Sequence, residues 1–115
     1  MIKDIVFLTT KFYKEENKSI FSLLKETGYF ELYNQVNESN IYECLILYPD
    51  CVTQWLEWSE NKRSSSGWYF KKDTETKYVV GYFPDTKNLT PILYSDKFEA
   101  CSIFILREIE NIRLS

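Results

Sequence analysis

Carboxylates are the residues whose type and spacing could do chemistry in this chain. Pro49-Asp50, followed after twenty-four residues by Glu75-Thr76-Lys77, fits the P-D…E-x-K arrangement of Mg²⁺-dependent nucleases. In such a site two carboxylates hold the metal, and the lysine orients or activates water. Five residues at loose spacing recur by chance, however, and the local context points elsewhere. Asp50 opens a predicted helix, where a carboxylate complements the dipole, and Glu75 falls in a predicted turn. Other chemistries are closed. With no histidine in 115 residues, neither Ser-His-Asp nor Cys-His nucleophile pairs can be built, nor can histidine acid–base catalysis. Cys44, Cys51 and Cys101 form no C-x-x-C pair and lie among apolar residues of predicted helices. They read as buried free thiols in a reducing, cytosolic setting, without a zinc site. No cofactor or metal is expected. Ser64-Ser65-Ser66-Gly67 lacks the glycine spacing and following helix of a phosphate-cradling loop and reads as a flexible entry to a strand.

The remaining acids are unevenly placed. Net charge is −3, yet no Lys or Arg lies between Lys25 and Lys62, a span that holds Glu26, Glu31, Glu38, Glu43, Asp50, Glu57 and Glu60. Residues 1–60 carry ten acids and five bases (−5), and residues 61–115 seven acids and nine bases (+2). At helical spacing Asp50 and Glu57 lie opposite the stripe Val52, Trp55, Leu56, with Glu60 beside them and Glu43 on the preceding segment. One reading is a solvated helix face. The other is a docking surface for a basic protein, because solubility does not require a one-sign field and complementary charge speeds association. Trp58, beside Glu57, is placed to anchor such a contact. Nucleic acid is a poor ligand for this chain, since Lys62-Arg63 and Lys71-Lys72 are too few to track a phosphate backbone.

The elements that must position these residues follow from periodicity. The length suits one domain, residues 1–115. The start, MIKDIVFLTTKF, has an apolar run of four residues, too short for a signal-peptide core or a membrane span. Ile5–Leu8 fits either an edge strand or the first turns of a helix. A helix is predicted over 18–27, with Ile20, Phe21, Leu23 and Leu24 on its apolar side and Gly28 to end it. Residues 30–36 read as a linker, turn or short extended piece. Residues 40–61 form a helix pair jointed at Pro49-Asp50. Trp68–Lys72 and Lys77–Phe83 form a hairpin around the polar run 73–76, with Trp68, Phe70, Tyr78, Val80 and Tyr82 on one face. After a polar loop over 84–90, Pro91–Tyr94 is a third strand. Asp96 then opens a last helix through a near capping box, with Phe98, Cys101, Ile105, Ile109 and Ile112 along its packed face. The expected fold class is α+β, helices packed on an antiparallel sheet of about three strands.

The runs GWYFKKDTETKYVVGYF and ILYSDKFEACSIFILREIE resemble the small immunity proteins of bacterial polymorphic toxin systems, including contact-dependent growth inhibition. The likeness covers roughly residues 64–110. It implies a cytoplasmic, non-enzymatic protein that binds one cognate toxin domain and blocks its active site or substrate surface. Many such toxins are basic nucleases, which suits the acidic span found independently above. The resemblance carries over no binding residues, so the candidates come from charge and aromatic placement: Glu43, Asp50, Glu57, Glu60 and Trp58, with Asp73 and Glu75 at the hairpin tip as a second surface. Metal-dependent cleavage through Asp50, Glu75 and Lys77, or a generic acidic adaptor, are the alternatives.

Overall fold

The hairpin is the centre of a three-stranded antiparallel sheet, β1 (Gly67–Thr74), β2 (Lys77–Phe83) and β3 (Ile92–Tyr94), in the order β1-β2-β3. These elements come from a computed structural model that describes residues 1–15, 17–62, 67–84 and 90–115. The predicted loop over 84–90 and the Ser64–Ser66 entry lie largely outside the described residues. Trp68 pairs with Tyr82, Phe70 with Val80 and Lys72 with Tyr78, which sets the aromatic face foreseen from the alternation. Asp73 and Thr74, expected in the turn, extend β1 instead. The register shifts between Lys72 and Thr74, and only Glu75-Thr76 is left to turn the chain.

Helices supply the rest: α1 (Ile2–Val6), α2 (Leu8–Lys14), α3 (Ile20–Glu26), α4 (Tyr29–Leu32), α5 (Glu38–Leu47), α6 (Asp50–Lys62) and α7 (Lys97–Arg113). The architecture is therefore α+β. The ambiguous Ile5–Leu8 run is helical, split between α1 and α2. Residues 30–36, expected to link or extend, are helical up to Gln35: α4 runs into a 3₁₀ turn, Tyr33–Gln35, and only Val36 is extended. Gly28 explains how. At φ 90° it takes a left-handed conformation that closes α3 and starts α4, which glycine does without a Cβ penalty. Phe21, expected on the packed side of α3, is exposed and meets Phe30 edge-on at 5.0 Å, while Leu23 and Leu24 are buried.

Pro49 separates α5 from α6 as its missing N–H requires. Asn37 and Asn40 cap α5 reciprocally, and Asp96 accepts from the backbone N–H groups of Phe98 (2.9 Å) and Glu99 (3.4 Å) to start α7. Tyr42 donates to Asp96 at 2.6 Å and so ties α5 to the head of α7.

α7 crosses the inner face of the sheet, and the core forms where it meets α6 and β1. Trp55, Phe70 and Phe104, one from each element, are fully buried, with ring centroids 6.0 Å (Trp55–Phe104) and 5.6 Å (Phe70–Phe104) apart. Trp55 donates its indole N–H to the Val6 carbonyl at 2.9 Å, satisfying an acceptor freed at the end of α1. α6 lies along β1, where Ser59 Oγ accepts the outward backbone N–H of Phe70 at 2.8 Å. An edge strand is thereby covered rather than left to pair with another chain. Cys44, Cys51 and Cys101 are free and buried; burial raises all three thiols, Cys51 to about 11, so none is a ready nucleophile. No helix among the described residues is long and apolar enough to cross a membrane.

Candidate functional site

The acidic candidates occupy two helices and a turn. Glu43 is exposed on α5, Asp50 is the first residue of α6, and Glu57 and Glu60 are exposed further along it. Among the described residues no cation pairs with Glu43, Asp50 or Glu57. Each is a hydrated charge, available to a partner at no cost to the fold. The span is less isolated in space than in sequence. Glu57 and Glu60 share a shallow cleft of about 370 Å³ with Leu56, Phe70, Lys71 and Lys72, so the lysines missing from the helix are supplied by the neighbouring strand.

That cleft and the Ser59–Phe70 bond show that α6 and β1 run antiparallel. β1 leaves for the hairpin turn in the direction from which α6 arrived, so Asp50 and the turn lie towards the same end of the molecule. Asp73 and Glu75, the second candidate surface, are exposed at the end of β1 and in the turn. Glu75 is 95% exposed in its side chain and within 3.6 Å of Lys72 Nζ, a pair of little energetic weight.

Trp58 is placed differently from the exposed anchor expected of it. It is half-buried, meets Phe12 edge-on at 5.1 Å, and donates its indole N–H to Glu108 Oε2 at 2.8 Å. The same Oε2 lies 2.5 Å from Lys62 Nζ, and Glu108 is only 2% exposed. A buried carboxylate, an ammonium from the last turn of α6 and an indole thus lock α6 to α7. Glu108 follows Phe104 and Ile105 at helical spacing, so an acid inside the apolar stripe was the sequence signal for it.

A second polar cluster was also missed. Tyr29, buried on α4, donates its hydroxyl to Glu110 Oε2 on α7. Arg113 grips the same carboxylate through Nε (3.0 Å to Oε2) and a terminal guanidinium nitrogen (2.5 Å to Oε1), and its Cζ lies 3.9 Å from the centroid of the Tyr33 ring. The Arg113 hydrogen bonds hold the Glu110 carboxyl below its usual range, against the opposing effect of partial burial. Burial, then the Glu110 hydrogen bond, pushes the Tyr29 hydroxyl up. Nothing in the charge balance marked these residues, because the i, i+3 pair Glu110–Arg113 is neutral in sum.

The residues of the nuclease pattern carry no converging geometry. Asp50 heads a helix, Glu75 projects from a turn, and Lys77 Nζ is 2.7 Å from Ser95 Oγ. Among the described residues no group of three or more acids or cysteines could hold a metal ion. No protein-family model, curated protein or solved structure matches the chain.

Proposed function

We propose that this chain is a cytoplasmic immunity protein: a non-enzymatic inhibitor that binds a cognate basic toxin domain of nuclease type and occludes its active site or substrate surface. The observation that carries the reading is the set of exposed carboxylates Glu43, Asp50 and Glu57 on two consecutive helices, which have no cation partner among the described residues. Basic side chains on a toxin would meet these charges without first breaking internal pairs, and the field would steer encounter. Glu60 lies further along α6, and Asp73 and Glu75 at the hairpin end are a second exposed acidic surface. An interface of ordinary size needs on the order of 800 Å² from each partner, and one helix face plus a turn supplies that scale.

The experiment is capture from the native host at low and high salt, with bound protein identified by mass. A single basic toxin fragment, held at low salt and weakened at high salt, is the expected result. Loss of that fragment on reversing Glu43 and Glu57 to Lys, with the fold retained, would place the contact. A partner without toxin activity would replace this reading with an acidic adaptor, and Mg²⁺-dependent cleavage by the purified chain, abolished by Lys77→Ala, would replace it with an enzyme.

A further inference from the structure

α7 presents a second outward stripe, Ile103, Leu106, Arg107, Glu110, Asn111 and Leu114, which forms one side of an open groove of about 490 Å³. Tyr29, Tyr33, Val36 and Trp68 also line it. From Ile103 to Leu114 the stripe runs eleven residues, about 16 Å at 1.5 Å per residue. That is the length of an extended segment of about five residues at roughly 3.3 Å each.

Two arginines bear on this groove, Arg107 in its lining and Arg113 on the lining residues Tyr33 and Glu110, and they differ. Arg113 stacks on Tyr33, but its charge is matched by two hydrogen bonds to Glu110. Arg107 lies 5.1 Å from the Trp68 ring centroid and has no carboxylate partner among the described residues. A cation–π contact of this kind anchors the guanidinium beside the indole without using up its N–H donors, which leaves them open to a carboxylate. Trp68 and Arg107 also border a smaller cleft of about 140 Å³ that reaches Ile92 and Tyr94, so this pair forms a ridge between two apolar hollows. Glu38, on the α5 side of the large groove, disfavours an anion there and gives the site a polarity.

We propose that the α7 groove is a docking site for an extended peptide segment that sets a carboxylate on Arg107 and lays a neighbouring aromatic or large apolar side chain against Val36, Leu106 and Trp68. The open mouth and its length favour a chain segment over a small molecule. This site does not depend on the toxin reading and lies on different residues from the acidic face.

The test titrates two blocked pentapeptides, acetyl-Ser-Phe-Glu-Leu-Ser-amide and the same peptide with Gln for Glu, into the ¹⁵N-labelled chain. The indole N–H of Trp68 and the Arg107 side chain serve as reporters. Expected are saturable shifts at both, with the Glu peptide about fivefold tighter, the upper end for a partly exposed ion pair. Arg107→Ala should bring the ratio to about one, and Arg107→Lys should keep part of it, since a point charge lacks the planar fork. Glu38→Gln should tighten the Glu peptide. Arg107 and Glu38 are exposed, so an unchanged amide spectrum separates lost binding from lost fold. Absent saturation, equal affinity for the two peptides, or a preference that survives Arg107→Ala would overturn the proposal. N-acetylphenylalanine binding as tightly as the Glu peptide would also overturn it, in favour of a small-molecule cleft.

Discussion

Two carboxylates of α6, Asp50 and Glu57, and two of α7, Glu108 and Glu110, obey opposite rules. Glu108 and Glu110 on α7 are each held by a cation and an aromatic donor: Lys62 and Trp58 for one, Arg113 and Tyr29 for the other. Asp50 and Glu57 on α6 are exposed and have no such partners among the described residues. Glu43 on α5 behaves as they do. Counting acids in the sequence treats these groups alike. Position decides otherwise, because a charge taken out of water must be paired to be tolerated, whereas a hydrated one needs nothing from the fold. The difference separates acids that build the domain from acids free to meet something else.

The comparison breaks most sharply at Glu108. Glu108→Ala leaves the Lys62 ammonium and the Trp58 indole N–H without their acceptor in the α6–α7 contact. A loss of about 3–5 kcal/mol is expected, as for removal of one partner from a buried pair. That is a large share of the roughly 5–15 kcal/mol available to a domain of this kind. Chemical denaturation of the variant gives the number. Replacing both partners, Lys62→Met with Glu108→Leu, should cost much less, because no unmatched charge remains. If the double variant is as unstable as Glu108→Ala, packing and not charge holds these helices together.

Trp58→Phe should come next, at about 1.5–3 kcal/mol, since it removes a hydrogen bond to a charged acceptor while keeping most of the ring contact with Phe12. The contrast with partner binding matters more than the size. An internal Trp58 lowers stability when altered and affects partner affinity only through the fold. An affinity loss in a variant of undiminished stability would return Trp58 to the interface.

Architecture was legible where local chemistry left no choice. Proline at 49, the Asp96 cap, the alternation in the two aromatic runs and the spacing of Cys101, Ile105 and Ile109 each specify one local outcome. Residues 30–36 were misread because Tyr29–Gln35 is too short for a period to show, and only the left-handed Gly28 sets the direction of the chain there. For the candidate surface, exposure of Glu43, Asp50 and Glu57 follows from helical phase, but the fate of Trp58 does not. It depends on Glu108, fifty residues away, and no single-chain pattern links the two. The Arg107 and Arg113 stacks were hidden for the same reason: their aromatic partners, Trp68 and Tyr33, come from other elements.

Acid sharpens the comparison without any mutation of the core. Arg113 holds the Glu110 carboxyl below its ordinary value of 4.5, so the folded state favours the ionised form. That contribution is fully present above the ordinary value and is lost as pH falls through the lowered one. Denaturation midpoints should therefore decline as pH drops below about 4.5, and Glu110→Gln should flatten part of that decline while lowering stability at neutral pH. Tyr29→Phe removes one of the bonds to the same carboxylate and should cost about 1 kcal/mol. An unchanged acid profile in Glu110→Gln would mean that solvent already screens the cluster.

The smallest effect on stability is expected at the residues that matter most to the functional proposal. Glu43→Lys and Glu57→Lys, separately or together, break no internal pair among the described residues and should stay within about 0.5 kcal/mol of the parent chain. Reversing Glu57 could even gain a little by relieving repulsion along α6, although Lys71 and Lys72 across the cleft would oppose that gain. Set against this near-silence in the fold, loss of a basic partner in salt-dependent capture would assign the two charges to recognition. A stability loss comparable to that of Glu108→Ala would put them with the acids of α7 and erase the distinction between the two helices.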